Sequence, residues 1–129
     1  MYKRQDRNGI AIVVSGLRSD DGMVRGALFA SPTGWTERGR EVATCRGRIT
    51  NGRARCVFRD VAPGTYAVAF VHDENGNGDM DRNAIGLPQE GFGFTNDAPT
   101  GLGPPSFESA SFTYDGASVT LPVHARYGI

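Results

Sequence analysis

Helical periodicity is missing from this chain of 129 residues. No stretch of a dozen residues repeats its apolar positions at helical spacing. Long apolar runs are missing too: IAIVV and YAVAFV are both far short of the roughly 20 residues that a membrane-spanning helix needs. The opening MYKRQDRNG is polar and lacks the apolar centre of a secretory leader, so no signal peptide is expected there. Neither sign of charge is in excess. Fourteen basic residues balance fourteen acidic ones, which gives no bulk attraction for nucleic acid or an anionic membrane. Catalytic signatures are equally scarce. There is no GxSxG, HExxH, Walker loop or dinucleotide fingerprint, and the two histidines, His72 and His124, sit at separate strand ends. A non-enzymatic protein is the expectation.

Turns and alternation are abundant. Eighteen glycines and seven prolines accompany apolar residues that recur with period two. GIAIVVSGL (9–17) and MVRGALFAS (23–31) read as strands separated by SDDG. PTGWTERGREV is irregular, with room for one helical turn. TCRGRIT and RARCVFRDV flank Asn51-Gly52, a strong two-residue hairpin signal because both positions accept positive φ. APGT turns into YAVAFVH, and a last hairpin forms from ASFTYD and ASVTLPVHA around Gly116. Seven short strands predict one all-β sandwich domain over 1–129, with residues 1–8 disordered or extraneous to the fold.

From Asp73 to Ser109 no strand or helix pattern appears. A loop of that length in a compact domain is commonly functional. It opens on VHDENGNGDMDRN. Counted from Asp73, Asn75 and Asn77 take the third and fifth positions of a calcium loop, and Gly78 the sixth. Asp79 is placed to offer its backbone carbonyl, and Asp81 takes the ninth position. Ala84 stands where a bidentate Glu would close the shell, so Asn83, Glu90 or Asp97 would have to complete it. His72 could steady the first ligand from behind. The expectation is a structural Ca2+ pinning the start of a long ordered loop; the competing reading is a polar β-turn.

Cys45 and Cys56 lie on the two arms of the Asn51-Gly52 hairpin and share its inward face. In a simple two-residue register they are diagonal, so a disulfide needs a bulge or another register; the alternative is two buried thiols. The outward face carries Arg46, Arg48, Arg53, Arg55 and Arg59, either a solvated surface or a site for an anionic envelope partner. Trp35, Phe92 and Phe94 could form a stacking platform for a sugar, or a small core of Phe92, Phe94 and Phe107 beneath the loop.

Three segments, PGTYAVAFVHDENGNGDMD, GLPQEGFGFTNDA and GPPSFESASF, together resemble the bacterial domain-of-unknown-function family 2141. The departures are mild: Thr95 where Ser is usual, Met80 where Leu is common, and Ala62 before Pro63. The resemblance implies a protein exported to the periplasm or outside the cell, from which a leader has been trimmed, and it supplies no activity. APGTY also looks like a signature of transthyretin-like and adhesin B-type domains, and DENGNGDMD like adhesin calcium loops. The fold expected is thus an immunoglobulin- or transthyretin-like sandwich of about seven strands. Its expected role is a calcium-stabilised, non-enzymatic interaction module of the cell envelope, with an unknown protein, glycan or small ligand as partner. One alternative is a small-ligand or glycan carrier. Another is an enzyme using Glu90 and Asp97 as an acid/base pair.

Overall fold

Period-two alternation becomes strand wherever one face can be covered. The computed structural model describes residues 9–76, 90–101 and 103–128. Its strands are β1 (Ile10–Ser15), β2 (Met23–Phe29), β3 (Ala43–Thr50), β4 (Arg53–Phe58), β5 (Gly64–Asp73), β6 (Gly91–Phe94), β7 (Phe112–Tyr114) and β8 (Val119–His124). A 3-10 turn, Thr95–Asp97, and a single helical turn, α1 (Phe107–Ala110), complete the elements. The protein is all-β.

The hydrogen-bonded path runs β6-β5-β2-β3-β4-β1-β8, with β7 also on β5. Its pairings are antiparallel except β1 with β8, which run parallel from Ile10↔Val119 to Ser15↔His124. Past β8 the chain meets β6: Phe92 N–H donates to the Arg126 carbonyl at 2.9 Å, and Arg126 N–H returns the bond at 2.8 Å. The sheet is therefore nearly closed, like a barrel. The two separate sheets of a sandwich are expected from the sequence, with a patternless segment from 73 to 109; that segment contains β6 and the start of α1.

Inside the barrel, Ile10, Ile12, Val24, Phe58, Val68 and Phe70 are buried, and each such side chain contributes roughly 1.5–3 kcal/mol. A second cluster covers the outer side of β5 and β6, with Phe29, Ala67, Phe92, Phe94, Phe107 and Ala110. Central β5 is thus covered on both faces, which explains its nearly unbroken apolar run.

The β3–β4 hairpin turns at Asn51 (φ 54°) and Gly52 (φ 75°), as two central residues with positive φ require. Asp20 caps it, accepting from the N–H groups of Asn51 at 2.9 Å and Gly52 at 2.8 Å. Only Ile49↔Ala54 and Thr50↔Arg53 pair before the arms part, β3 joining β2 and β4 joining β1. A disulfide, Cys45–Cys56, spans the parting at a Cα separation of 5.5 Å. The expected register holds at the turn, so the diagonal is shortened farther up. At Gly47 the backbone passes so near β4 that a β-carbon would lie 2.5 Å from the Arg55 carbonyl oxygen.

Candidate functional site

The end of β5 carries the acidic stretch, and its first residues are already engaged. Asp73 is fully buried, and Arg25 of β2 donates from Nε to its Oδ2 at 2.7 Å. Glu74 accepts from Arg18 and, at 3.1 Å, from the Ser19 hydroxyl, while its own N–H donates to Glu90 at 3.0 Å. His72 is fully buried. Facing a carbonyl, its Nε2 carries a hydrogen and donates to Asp21 at 2.8 Å; Nδ1 is hydrogen-bonded to the Tyr127 hydroxyl at 2.8 Å. Tyr127 in turn accepts from the Arg18 N–H, and the Arg18 guanidinium lies 4.6 Å from its ring centre. The Arg18 hydrogen bond, aided by Ser19 against partial burial, holds the Glu74 carboxyl below its ordinary value, and Glu74 holds Arg18 up. Partial burial pushes the Tyr127 phenol up, keeping it a donor.

This arrangement overturns the expected calcium site. Among the described residues no three His, Cys, Asp or Glu side chains gather as a metal group. The carboxylate expected to be the first ligand is paired with a guanidinium instead. Asn75 is exposed; Asn77, Asp79, Asp81 and Asn83 lie outside the described residues. Glu90 is buried against the Glu74 backbone. Asp97 is at the other end of β6, where it accepts from the His124 N–H at 2.8 Å and meets His124 Nδ1 at 2.7 Å. Sequence spacing missed Arg18, Arg25 and Tyr127 because they come from the β1–β2 connection, from β2 and from the C-terminal segment, all far from Asp73 in the chain.

The aromatic residues form the second cluster. Phe92 and Phe94 are buried. Trp35 stands at the rim, edge-on to Phe29 and Phe107, with its Nε1–H donated to the Pro105 carbonyl at 2.7 Å. The turn after β6 locks this layer. The Thr95 hydroxyl accepts from the Val68 N–H at 3.1 Å and donates to the Ala110 carbonyl, and Asn96 donates to the carbonyls of Ser109 and Ser111.

The arginines expected on the outward hairpin face are there. Arg46, Arg48, Arg53, Arg55 and Arg59 are all exposed. Arg46 lies directly across from Arg25, whose charge Asp73 meets. Arg46, Arg48, Arg53 and Arg55 have no carboxylate partner among the described residues. Two small depressions flank the hairpin. One, of about 200 Å³, is lined by Gly22, Met23, Arg46, Gly47 and Arg48. The other, of about 80 Å³, includes Arg55, Arg59, Ser118 and Thr120.

No curated protein and no solved structure matches the chain significantly. A family model does, over residues 12–121, which takes in every strand but the first residues of β1 and the last of β8. The chain belongs to that family, described as "Uncharacterized protein conserved in bacteria (DUF2141)".

Proposed function

We propose that this domain is a non-enzymatic binding module of the bacterial cell envelope that takes an anionic partner on the outer face of the β3–β4 hairpin. One observation carries the reading: four exposed arginines share that face without a carboxylate among the described residues to neutralise them. Like charges on neighbouring strands repel, a cost that an anion laid across them would offset. The balance of charge over the whole chain makes this concentration a local feature. Export to the periplasm or cell surface is supported by the Cys45–Cys56 disulfide, since such bonds persist in oxidising compartments.

We also read the barrel as a rolled form of an immunoglobulin- or transthyretin-like sandwich. The Tyr66 hydroxyl donates to the Ala62 carbonyl at 2.6 Å, the tyrosine-corner geometry of such domains. The binding reading is tested by cosedimentation with washed bacterial envelope. Wild type should sediment at low salt and be released near 1 M, where screening acts within about 3 Å. Replacing Arg46, Arg48, Arg53 and Arg55 by glutamine should leave the protein in the supernatant. Equal sedimentation of both proteins would overturn it.

A further inference from the structure

We infer that the anionic partner is an extended polymer, with carboxylate or phosphate groups at regular intervals, laid across the β3–β4 hairpin. The inference rests on the anion-binding reading above and names the class of ligand.

Spacing is the first argument. Arg46 and Arg48 on β3, and Arg53 and Arg55 on β4, are each two residues apart on one face. Strand geometry puts such neighbours about 6.8 Å apart along a strand, and where the two arms part the disulfide holds the Cα atoms of Cys45 and Cys56, next to Arg46 and Arg55, 5.5 Å apart. The result is a grid of cations whose period suits a chain with one charge per repeat. A single small anion could neutralise only part of it.

Concavity is the second. The depressions on either side of the hairpin, about 200 and 80 Å³, both fall below the roughly 300 Å³ at which small-molecule pockets begin. Each is lined by arginine, and the smaller adds the hydroxyl-bearing Ser118 and Thr120. Two small hollows, each with arginine in its lining, suit successive groups of one chain better than one larger ligand.

The side-chain chemistry is the third. All but one of the chain's fourteen basic residues are arginine, the exception being Lys3. A diffuse surface potential can be met by any cation, whereas the guanidinium fork meets carboxylate and phosphate oxygens in pairs. A bilayer partner would also call for apolar anchors beside the cations. Among the described residues the one large exposed apolar side chain is Val42.

Rigidity is the fourth. Cys45 and Cys56, the inward neighbours of Arg46 and Arg55, are joined covalently, so the two columns of charge are held at fixed separation. Ligand binding then orders little of the protein's backbone.

Isothermal titration at low salt tests this, with oligogalacturonates of graded length, linear polyphosphate, inorganic phosphate, and phosphatidylcholine vesicles containing phosphatidylglycerol as probes. Affinity for a polymer should rise with length until it spans the four arginines, then level off. It should exceed that for inorganic phosphate or vesicles by at least about tenfold. The double variants Arg46→Gln/Arg48→Gln and Arg53→Gln/Arg55→Gln, checked for unchanged melting, should each lose much of that gain. Arginine-to-lysine replacement at the four positions should weaken binding although the charge is kept. Arginine-dependent binding to vesicles or phosphate without preference for polymer would overturn the inference and leave the anion-binding face standing. Polymer binding unaffected by all the variants, or no binding to any probe, would overturn both.

Discussion

A β-carbon on Gly26 would lie 2.7 Å from Sγ of Cys45 and 3.2 Å from the Phe58 ring. Gly26 of β2 pairs with Cys45 of β3, so the disulfide occupies the space that any larger residue would need. Gly26→Ala should destabilise the domain by about 1–3 kcal/mol, the usual cost of overpacking. Thermal melting measures the loss, and an unchanged melting temperature would mean that the seam can spread.

The disulfide closes a loop with a sequence separation of 11. Reduction, or Cys45→Ala with Cys56→Ala, should cost about 2–3 kcal/mol by restoring freedom to the unfolded chain. Urea unfolding with and without reductant gives the difference directly.

Thr95 is fully buried and joins the backbone of two elements, the Val68 N–H of β5 and the Ala110 carbonyl of α1. Thr95→Val keeps the shape and strands both groups, for an expected loss of roughly 2–4 kcal/mol. Thr95→Ser keeps the hydroxyl and should lose much less. Equal melting temperatures for the two variants would show that the bonds contribute little.

Tyr114 presents the opposite case. Its hydroxyl is buried in the barrel and finds no hydrogen-bond partner among the described residues, and burial pushes its phenol up. Tyr114→Phe should therefore preserve stability or raise it by about 1 kcal/mol. A clear drop in melting temperature would reveal a partner for the hydroxyl.

Acid should weaken the contact between Arg18 and Glu74. The Glu74 carboxyl is held below its ordinary value of 4.5, so its stabilisation is complete above that pH and fades as pH falls through the depressed folded value. With Arg18 half exposed, the contribution should stay under about 1 kcal/mol. The stability gap between wild type and Glu74→Gln, followed by urea titration, should be constant above 4.5 and narrow below it. A gap independent of pH would assign it to packing.

Local signals carried much of the fold. Alternation marked β1, β2, β5 and β8, and Asn51-Gly52 marked its hairpin, because each depends on residues close in the chain. The short strand β6 was hidden in GFGF. Its glycines are there for rings from elsewhere: a β-carbon on Gly93 would meet Phe70, and one on Gly91 would meet Tyr127, both at 2.4 Å. The closing of the sheet was hidden for the same reason, since Phe92 and Arg126 are far apart in sequence. Asp73 shows how a correct spacing can mislead. Its place in D-x-N-x-N-G is as a calcium ligand's, yet Arg25, 48 residues earlier, takes the carboxylate. The outward arginines were legible because a period of two assigns faces without any knowledge of partners.

The paired bonds between Phe92 and Arg126 also bear on how copies of this protein treat one another. An open sheet would present β6 and β8 as two margins of unmatched amides and carbonyls, each a template for a strand from a second molecule. Here β6 is joined to the chain just past β8, and Asp97 takes the His124 N–H and has its carbonyl capped by Arg126. A few hydrogen bonds at the seam thus occupy amides and carbonyls that a strand from another copy could otherwise pair with.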